Sequence, residues 1–180
     1  MSKNVLVISS SLRKNSNSDA MAEAFAEGAR AAGHQVETIS LRDKAIHFCK
    51  GCLACQKTQA CVQHDDAAGI VQKMLHADVL CFATPIYYYA VSGQLKTMLD
   101  RANPLFPADY AFRDVYLLAA AAEDNPAAMD GAVKELEGWV ACFPKSRLAG
   151  VVRGTGVTQP GDINDKPEAL EESRKLGRNC

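Results

Sequence analysis

A doubly wound α/β fold, in which helices cover both faces of a parallel sheet, is what this sequence predicts. Three observations predict it. Short apolar runs rich in branched residues alternate with stretches of helical period. The runs are near-continuously apolar, as strands buried on both faces are. The length of 180 residues suits a single core, so residues 1–180 read as one domain.

Five runs read as strands: Asn4 to Ser9 ("NVLVIS"), His34 to Ser40, Ala77 to Pro85, Asp114 to Ala122 and Ser146 to Gly154. Helical period appears over Asp19 to Ala32, where Met21, Ala24, Phe25, Gly28 and Ala32 share a face, and over Asp66 to His76 and Ser92 to Ala102. Two more helices are expected over Ala127 to Phe143 and Pro167 to Gly177. Five strands in this length give the flavodoxin-like version, a three-layer, five-stranded parallel sheet. In such sheets ligands sit beyond the carboxyl ends of the strands where the strand order reverses, here between the first and third strands. Ser9 to Ser18 and Thr84 to Ser92 are therefore the loops to watch.

One connection breaks the pattern. About 42–65 lies between the second strand and the next helix, far longer than the usual 2 to 6 residues. Ordering so long a segment costs entropy, and a bound metal centre is one physical answer.

Composition narrows the function classes. With 48% apolar and 23% charged residues the chain can bury a core. A net charge of −1 provides no broad basic face, so neither nucleic acid nor a membrane is an expected partner. The opening "MSKNVLVISSS" lacks the features of a signal peptide, no stretch approaches a membrane span, and the expected location is cytoplasmic. Thiols stay reduced there unless they are catalytic or bind metal.

"SSSLRKNSNSD" follows the first strand and opens the first helix. It presents the Ser11, Ser16 and Ser18 hydroxyls, the Asn17 amide, the Arg13 guanidinium and several backbone N–H groups. A helix N-terminus so lined suits a phosphate dianion, because orphan amides and the positive end of the dipole converge there. The simpler reading is a hydroxyl-rich N-cap. There is no G-x-G-x-x-G and no G-K-[ST], which argues against a dinucleotide fold and a P-loop hydrolase. "TPIYYYAVSGQLK" follows the third strand, and Pro85 with Tyr87, Tyr88 and Tyr89 makes a stiff aromatic loop able to face a planar heterocycle. The alternative is that the tyrosines cap the core. Phosphate at one loop and a flat ring at the other fit a mononucleotide.

These residues resemble the NAD(P)H-dependent FMN reductases of flavodoxin-like fold. That family's phosphate loop reads roughly G-S-P-R-x-x-G-N-T. "SSLRKNSNS" matches it at Ser11, Arg13, Asn17 and Ser18, with Ser10, Leu12 and Ser16 in place of Gly, Pro and Gly. "PIYYYAVSGQLK" meets the flavin loop. The cysteine run, Asp65–Asp66 and the ending "GVTQPGDINDKPEALEESRKLGR" are similar to the branch that includes the iron-sulfur flavoproteins. The resemblance implies that Ser11, Arg13, Ser16, Asn17 and Ser18 hold the FMN phosphate and that Pro85, Ile86, Tyr87 and Tyr88 contact the isoalloxazine. The loop after the fourth strand, "AAAAED", departs from the family's Gly or Thr there, so no role is expected for Ala120 to Asp124.

"HFCKGCLACQKTQAC" carries Cys49, Cys52, Cys55 and Cys61 at C-x2-C-x2-C-x5-C spacing, close to a bacterial ferredoxin run. The resemblance implies that these four hold one 4Fe-4S cluster. Structural zinc, a redox disulfide and free thiols stay open beside it. His47 and His64 read as solvated loop residues, Cys81 as a small core residue, and Lys96 as a solvated helix residue.

The function expected is an FMN-dependent oxidoreductase that takes hydride from NADH or NADPH and passes electrons to a small-molecule acceptor or a redox partner protein. No side chain is assigned a catalytic acid or base role. Family resemblance implies a homodimer or homotetramer. A flavodoxin-type electron carrier and a thiol or metal redox sensor are the other readings.

Overall fold

Alternation along the first strand decides which helix layer each residue meets. The computed structural model describes all 180 residues. In β1 (Asn4–Ser9) everything after Asn4 is buried. Val5 and Val7 pack with Met21 and Phe25 on one face, while Leu6 and Ile8 pack with Ile70, Met74 and Leu95 on the other. This is the period-2 geometry of a strand covered on both sides.

The parallel sheet continues with β2 (Gln35–Ser40), β3 (Val79–Tyr87), β5 (Asp114–Ala120) and β6 (Arg147–Gly154), in the order β2-β1-β3-β5-β6. A two-residue strand, β4 (Ala90–Val91), folds back antiparallel on the end of β3. The order reverses between β1 and β3, as expected, which opens a crevice at their carboxyl ends. Helices α1 (Asn17–Ala31) and α6 (Pro167–Arg178) cover one face; α3 (Asp66–His76), α4 (Gly93–Arg101) and α5 (Asp130–Ala141) cover the other. A single turn, α2 (Cys55–Thr58), interrupts the long loop. No helix is long and apolar enough to cross a membrane.

The differences from expectation are local and have physical causes. α1 starts two residues before Asp19 because the Ser16 side chain caps it, accepting from the Asp19 N–H at 3.1 Å. Ala32, expected on the buried face, is its exposed C-cap. β3 runs past Pro85 to Tyr87 because the hairpin with β4 supplies further ladder bonds. The helix expected from Ala127 begins as a 3-10 turn at Pro126, capped by Asn125, and becomes α-helical only at Asp130. β2 is an edge strand, with Ile39 its one fully buried residue. Cys81 lies in the core, where burial pushes its thiol pKa up.

Close approach of α1 and α6 depends on two glycines. A Cβ at Gly28 would stand 2.0 Å from the Arg174 carbonyl oxygen, and one at Gly177 would stand 1.9 Å from that of Phe25. Gly28→Val is expected to lower stability by roughly 1–3 kcal/mol or more through overpacking, which for this chain length is a fall of about 2–12 °C in thermal midpoint. Circular dichroism melting of variant and parent checks it.

Candidate functional site

Buried hydroxyls lock the two carboxyl-end loops together. The Ser10 N–H and Oγ both donate to the Ala83 carbonyl (2.9 and 3.1 Å). Ser92 Oγ donates to Ser10 Oγ at 2.8 Å and, as the N-cap of α4, accepts from the Leu95 N–H at 3.3 Å. The Ser92 N–H donates to Thr84 Oγ1 at 3.0 Å. Thus β1 and β3 hand their following loops to each other through a chain of satisfied groups.

A second brace comes from Arg42, just past β2. Its Nη2 donates to the Arg13 carbonyl and to Asp19 Oδ2, both at 2.6 Å, and Asp19 also takes the Ser9 hydroxyl. Arg13 and Asn17 are themselves engaged. Arg13 Nη1 donates to the Thr158 carbonyl at 2.7 Å. Asn17 Oδ1 accepts from the Gly161 and Ile163 N–H groups at 3.1 Å, and Nδ2 donates to the Gln159 carbonyl at 3.0 Å. The amide expected to face an anion holds the loop after β6 in place. What remains for a ligand is the cradle at the start of α1: the Ser16, Asn17 and Ser18 backbone N–H groups, which find no acceptor within the chain, beside the Ser11, Ser16 and Ser18 hydroxyls.

These groups open into a cavity of about 200 Å³ at the β1–β3 switch point. Ser11, Arg13, Ser16, Asn17 and Ser18 line one side and Pro85, Ile86 and Tyr87 another, so eight of the nine residues expected at a cofactor meet there. Tyr88 does not line it. Tyr88 and Tyr89 form the two-residue turn between β3 and β4, both at positive φ (50° and 66°), and Tyr88 is 100% exposed. The turn rests on the start of α5, where a Cβ at Gly131 would stand 2.4 Å from the Tyr89 carbonyl oxygen. None of the three tyrosines caps the core.

Sequence reasoning missed part of this wall. Val157, Thr158 and Pro160 line it from the loop after β6, and Ala120 and Ala122 line it from the "AAAAED" loop to which no role was given. "GVTQPGD" had the turn residues of a site loop, but it is the long-range contacts of Arg13 and Asn17, with the Val157 N–H bond to the Ala121 carbonyl, that bring it to the cavity. A larger cavity, about 610 Å³, lies between β1, β2 and α3 near Asn4, Gln35 and His76, away from the strands' carboxyl ends.

The cysteine loop has a different anchor. Arg101, at the end of α4, and Asp65, the N-cap of α3, form a bidentate pair (Nη1–Oδ2 2.6 Å, Nη2–Oδ1 2.9 Å) with side chains 0% and 2% exposed. Arg101 also donates to the His47 carbonyl at 2.8 Å and to the Gln63 carbonyl at 3.5 Å, and Asp65 accepts from the His47 N–H and ring nitrogen at 2.9 and 3.0 Å. The two ends of the run are therefore joined by one ion pair. Burial alone would raise the Asp65 carboxyl, but Arg101, His47 and the Ala67 N–H outweigh it and hold the carboxyl well below the usual range.

Within the loop, Cys55 is buried, Cys61 half-buried, and Cys49 and Cys52 exposed. No three His, Cys, Asp or Glu side chains are gathered as a metal site. Arg101 Nη2 donates to Cys61 Sγ at 3.4 Å and Asn103 Nδ2 to Cys55 Sγ at 3.2 Å. His47 and His64 are solvated, and Lys96 pairs with Asp100 on the exposed side of α4.

Residues 3–151 match the model of the NADPH-dependent FMN reductase family. The chain belongs to that family. It is thereby an oxidoreductase whose family chemistry draws on FMN and a reduced nicotinamide. Among relatives of this family member, an iron-sulfur flavoprotein of Methanocaldococcus jannaschii is 28% identical over 180 residues, spanning 97% of this chain and 93% of that protein. An iron-sulfur flavoprotein of Archaeoglobus fulgidus is 38% identical over 92 residues, 51% of this chain but only 45% of that protein's length. In fold, the reductase is similar to the solved NAD(P)H:quinone oxidoreductase from Methanothermobacter marburgensis, with a TM-score of 0.73, 20% identity, and 99% and 97% of the two chains covered.

Removing Arg101 strands a buried carboxylate. Arg101→Met is expected to cost about 3–5 kcal/mol at pH 7, read by urea unfolding. Because Asp65 is held low in the folded state, the pair's stabilisation is complete above pH ~4 and is lost as pH falls below that value toward the folded-state pKa. The gap between variant and parent should therefore narrow in acid; a gap that widens there contradicts the assignment.

Proposed function

We propose that this reductase is an FMN-dependent NAD(P)H oxidoreductase that passes electrons from a reduced nicotinamide to a quinone, a flavin or a one-electron acceptor. The observation that carries this reading is the cavity at the β1–β3 switch point, where a helix N-terminus, three serine hydroxyls and an aromatic hairpin meet. When bound, FMN supplies a ring that accepts hydride and can release electrons singly. The protein's part is binding and orientation. Ser11, Ser16 and Ser18, with the open N–H groups of α1, would hold the phosphate, and Arg13 and Asn17 would support that loop from beside and behind. Pro85, Ile86 and Tyr87 would wall the ring, with Tyr88 at the rim. At about 200 Å³ the cavity is smaller than the roughly 300–1,000 Å³ of whole ligand pockets, which fits a site that encloses the polar end and leaves the ring reachable.

A second reading concerns the cysteines: Cys49, Cys52, Cys55 and Cys61 would be the ligands of a 4Fe-4S cluster, which would supply one-electron acceptance, although the four are not gathered as a metal site in this structure. The N–H donors on Cys55 and Cys61 favour it, as do the names of the archaeal relatives. For assembly we take a homodimer or homotetramer, which sedimentation would measure.

Anaerobically purified or FMN-reconstituted protein should show flavin absorption and oxidise NADH or NADPH in the presence of a quinone. Bound flavin with no turnover on any acceptor would instead indicate a flavodoxin-type carrier, and no flavin uptake would sink the reading. Ser18→Asp places a carboxylate in the cradle and should weaken FMN binding by at least about tenfold, since each 1.4 kcal/mol is a factor of ten. Fluorescence titration checks it, with unchanged far-UV circular dichroism as the control.

A further inference from the structure

We infer that Arg42 is a positioning residue for the phosphate cradle: together with Ser9 it holds the Asp19 carboxylate off the Ser16 N–H, and so keeps the protein's own anion out of the place a phosphate would take. This rests on the FMN reading of the cavity at the head of α1. Ser16-x-x-Asp19 has the form of a capping box, in which an acidic residue at the third helical position turns back to accept from the N–H of the N-cap. Half of the box is closed, since Ser16 Oγ accepts from the Asp19 N–H at 3.1 Å. The other half is open. Asp19 Oδ1 takes the Ser9 hydroxyl and Oδ2 takes Arg42 Nη2 at 2.6 Å, while the Ser16 N–H finds no acceptor within the chain.

Asp19 is the one acidic residue in the first turn of α1, and its carboxylate would be drawn to the same dipole and open amides that suit a phosphate. Self-capping and phosphate binding therefore compete for one donor. Arg42 decides that competition. Ser9 offers Asp19 a single neutral hydroxyl, whereas the guanidinium adds a charge-assisted bond and cancels the carboxylate's charge beside an incoming dianion. The two side chains are 24% and 25% exposed, so solvent screens the pair less than it screens a pair on the open surface. The same Nη2 donates to the Arg13 carbonyl at 2.6 Å. One nitrogen thus fixes both flanks of the cradle, between which Asn15, at φ 52°, turns the chain into α1.

The test uses the flavin-free full chain as parent, Arg42→Ala and Arg42→Ala/Asp19→Ala. Fluorescence titration measures the Kd of each for FMN and for riboflavin, which lacks the phosphate, with circular dichroism reporting the fold. Arg42→Ala should bind FMN about tenfold more weakly and riboflavin as the parent does, the scale of one charge-assisted bond. Adding Asp19→Ala removes the competing anion and should return the FMN affinity to near the parent value. In flavin-free Arg42→Ala the Ser16 amide should also become protected from hydrogen exchange, read by NMR. An unchanged FMN affinity, equal losses for FMN and riboflavin, a loss that Asp19→Ala does not restore, or an unprotected Ser16 amide each overturns the inference and leaves the FMN reading in place. If riboflavin binds too weakly to titrate, the restoration and the amide decide; if Arg42→Ala fails to fold, Arg42→Gln replaces it in the same comparison. A parent chain that takes up no FMN overturns the reading itself and this inference with it.

Discussion

A buried guanidinium facing a buried carboxylate ties the cysteine loop to the two helices, α3 and α4, that pack side by side in the core. Arg101 comes from the end of α4 and Asp65 from the start of α3; Arg101 donates to the His47 and Gln63 carbonyls at the two ends of the cysteine run, and Asp65 accepts the His47 N–H. Taking both charges out of water is expensive, and such a pair is tolerated only where the geometry is bidentate and the remaining donors and acceptors are satisfied. Here they nearly all are. The pair is what lets a long, largely exposed loop keep a defined course, against an ordering cost of roughly 1–2 kcal/mol for each residue fixed.

The same division of labour recurs at the other loops. Some polar groups are satisfied internally and set shape: the Thr84–Ser92–Ser10 chain, the Arg42–Asp19 brace and the Asn17 amide. Others at the head of α1 are left open, and these define the cavity. A phosphate there meets a cradle already built, so little ordering entropy is lost on binding. Aromatic rings on a tight turn add a firm wall because the turn is pinned between β4 and Gly131.

Most of the fold was legible because its signals are local. Apolar runs bounded by turn residues, and helices with one apolar face, follow from periods of 2 and 3.6, and the five parallel strands fall within two residues of those expected, while the short β4 was not expected. The ends shifted where a cap or a hairpin acted, as at Ser16 and Tyr87. The cavity's first wall was legible too, since eight of its residues come from two contiguous stretches. Val157, Thr158 and Pro160 were not, because their place depends on Arg13 and Asn17 reaching across the whole chain to the Thr158 carbonyl and to the Gly161 and Ile163 N–H groups.

The cysteine run shows the boundary most clearly. Its composition and spacing already marked Cys49, Cys52, Cys55 and Cys61 as a potential ligand set, because ligand chemistry depends on residue type and short separation. Residue order also placed a serine-rich helix start after β1 and an aromatic turn after β3, and hence the switch point where they meet. What holds the loop was decided only in three dimensions. Asp65 stands out in the sequence only as half of a family-like Asp–Asp pair and Arg101 does not stand out, and neither shows any sign of the other. A buried ion pair is a property of the space between two helices, and only packing them together removes the water that would otherwise have solvated both charges.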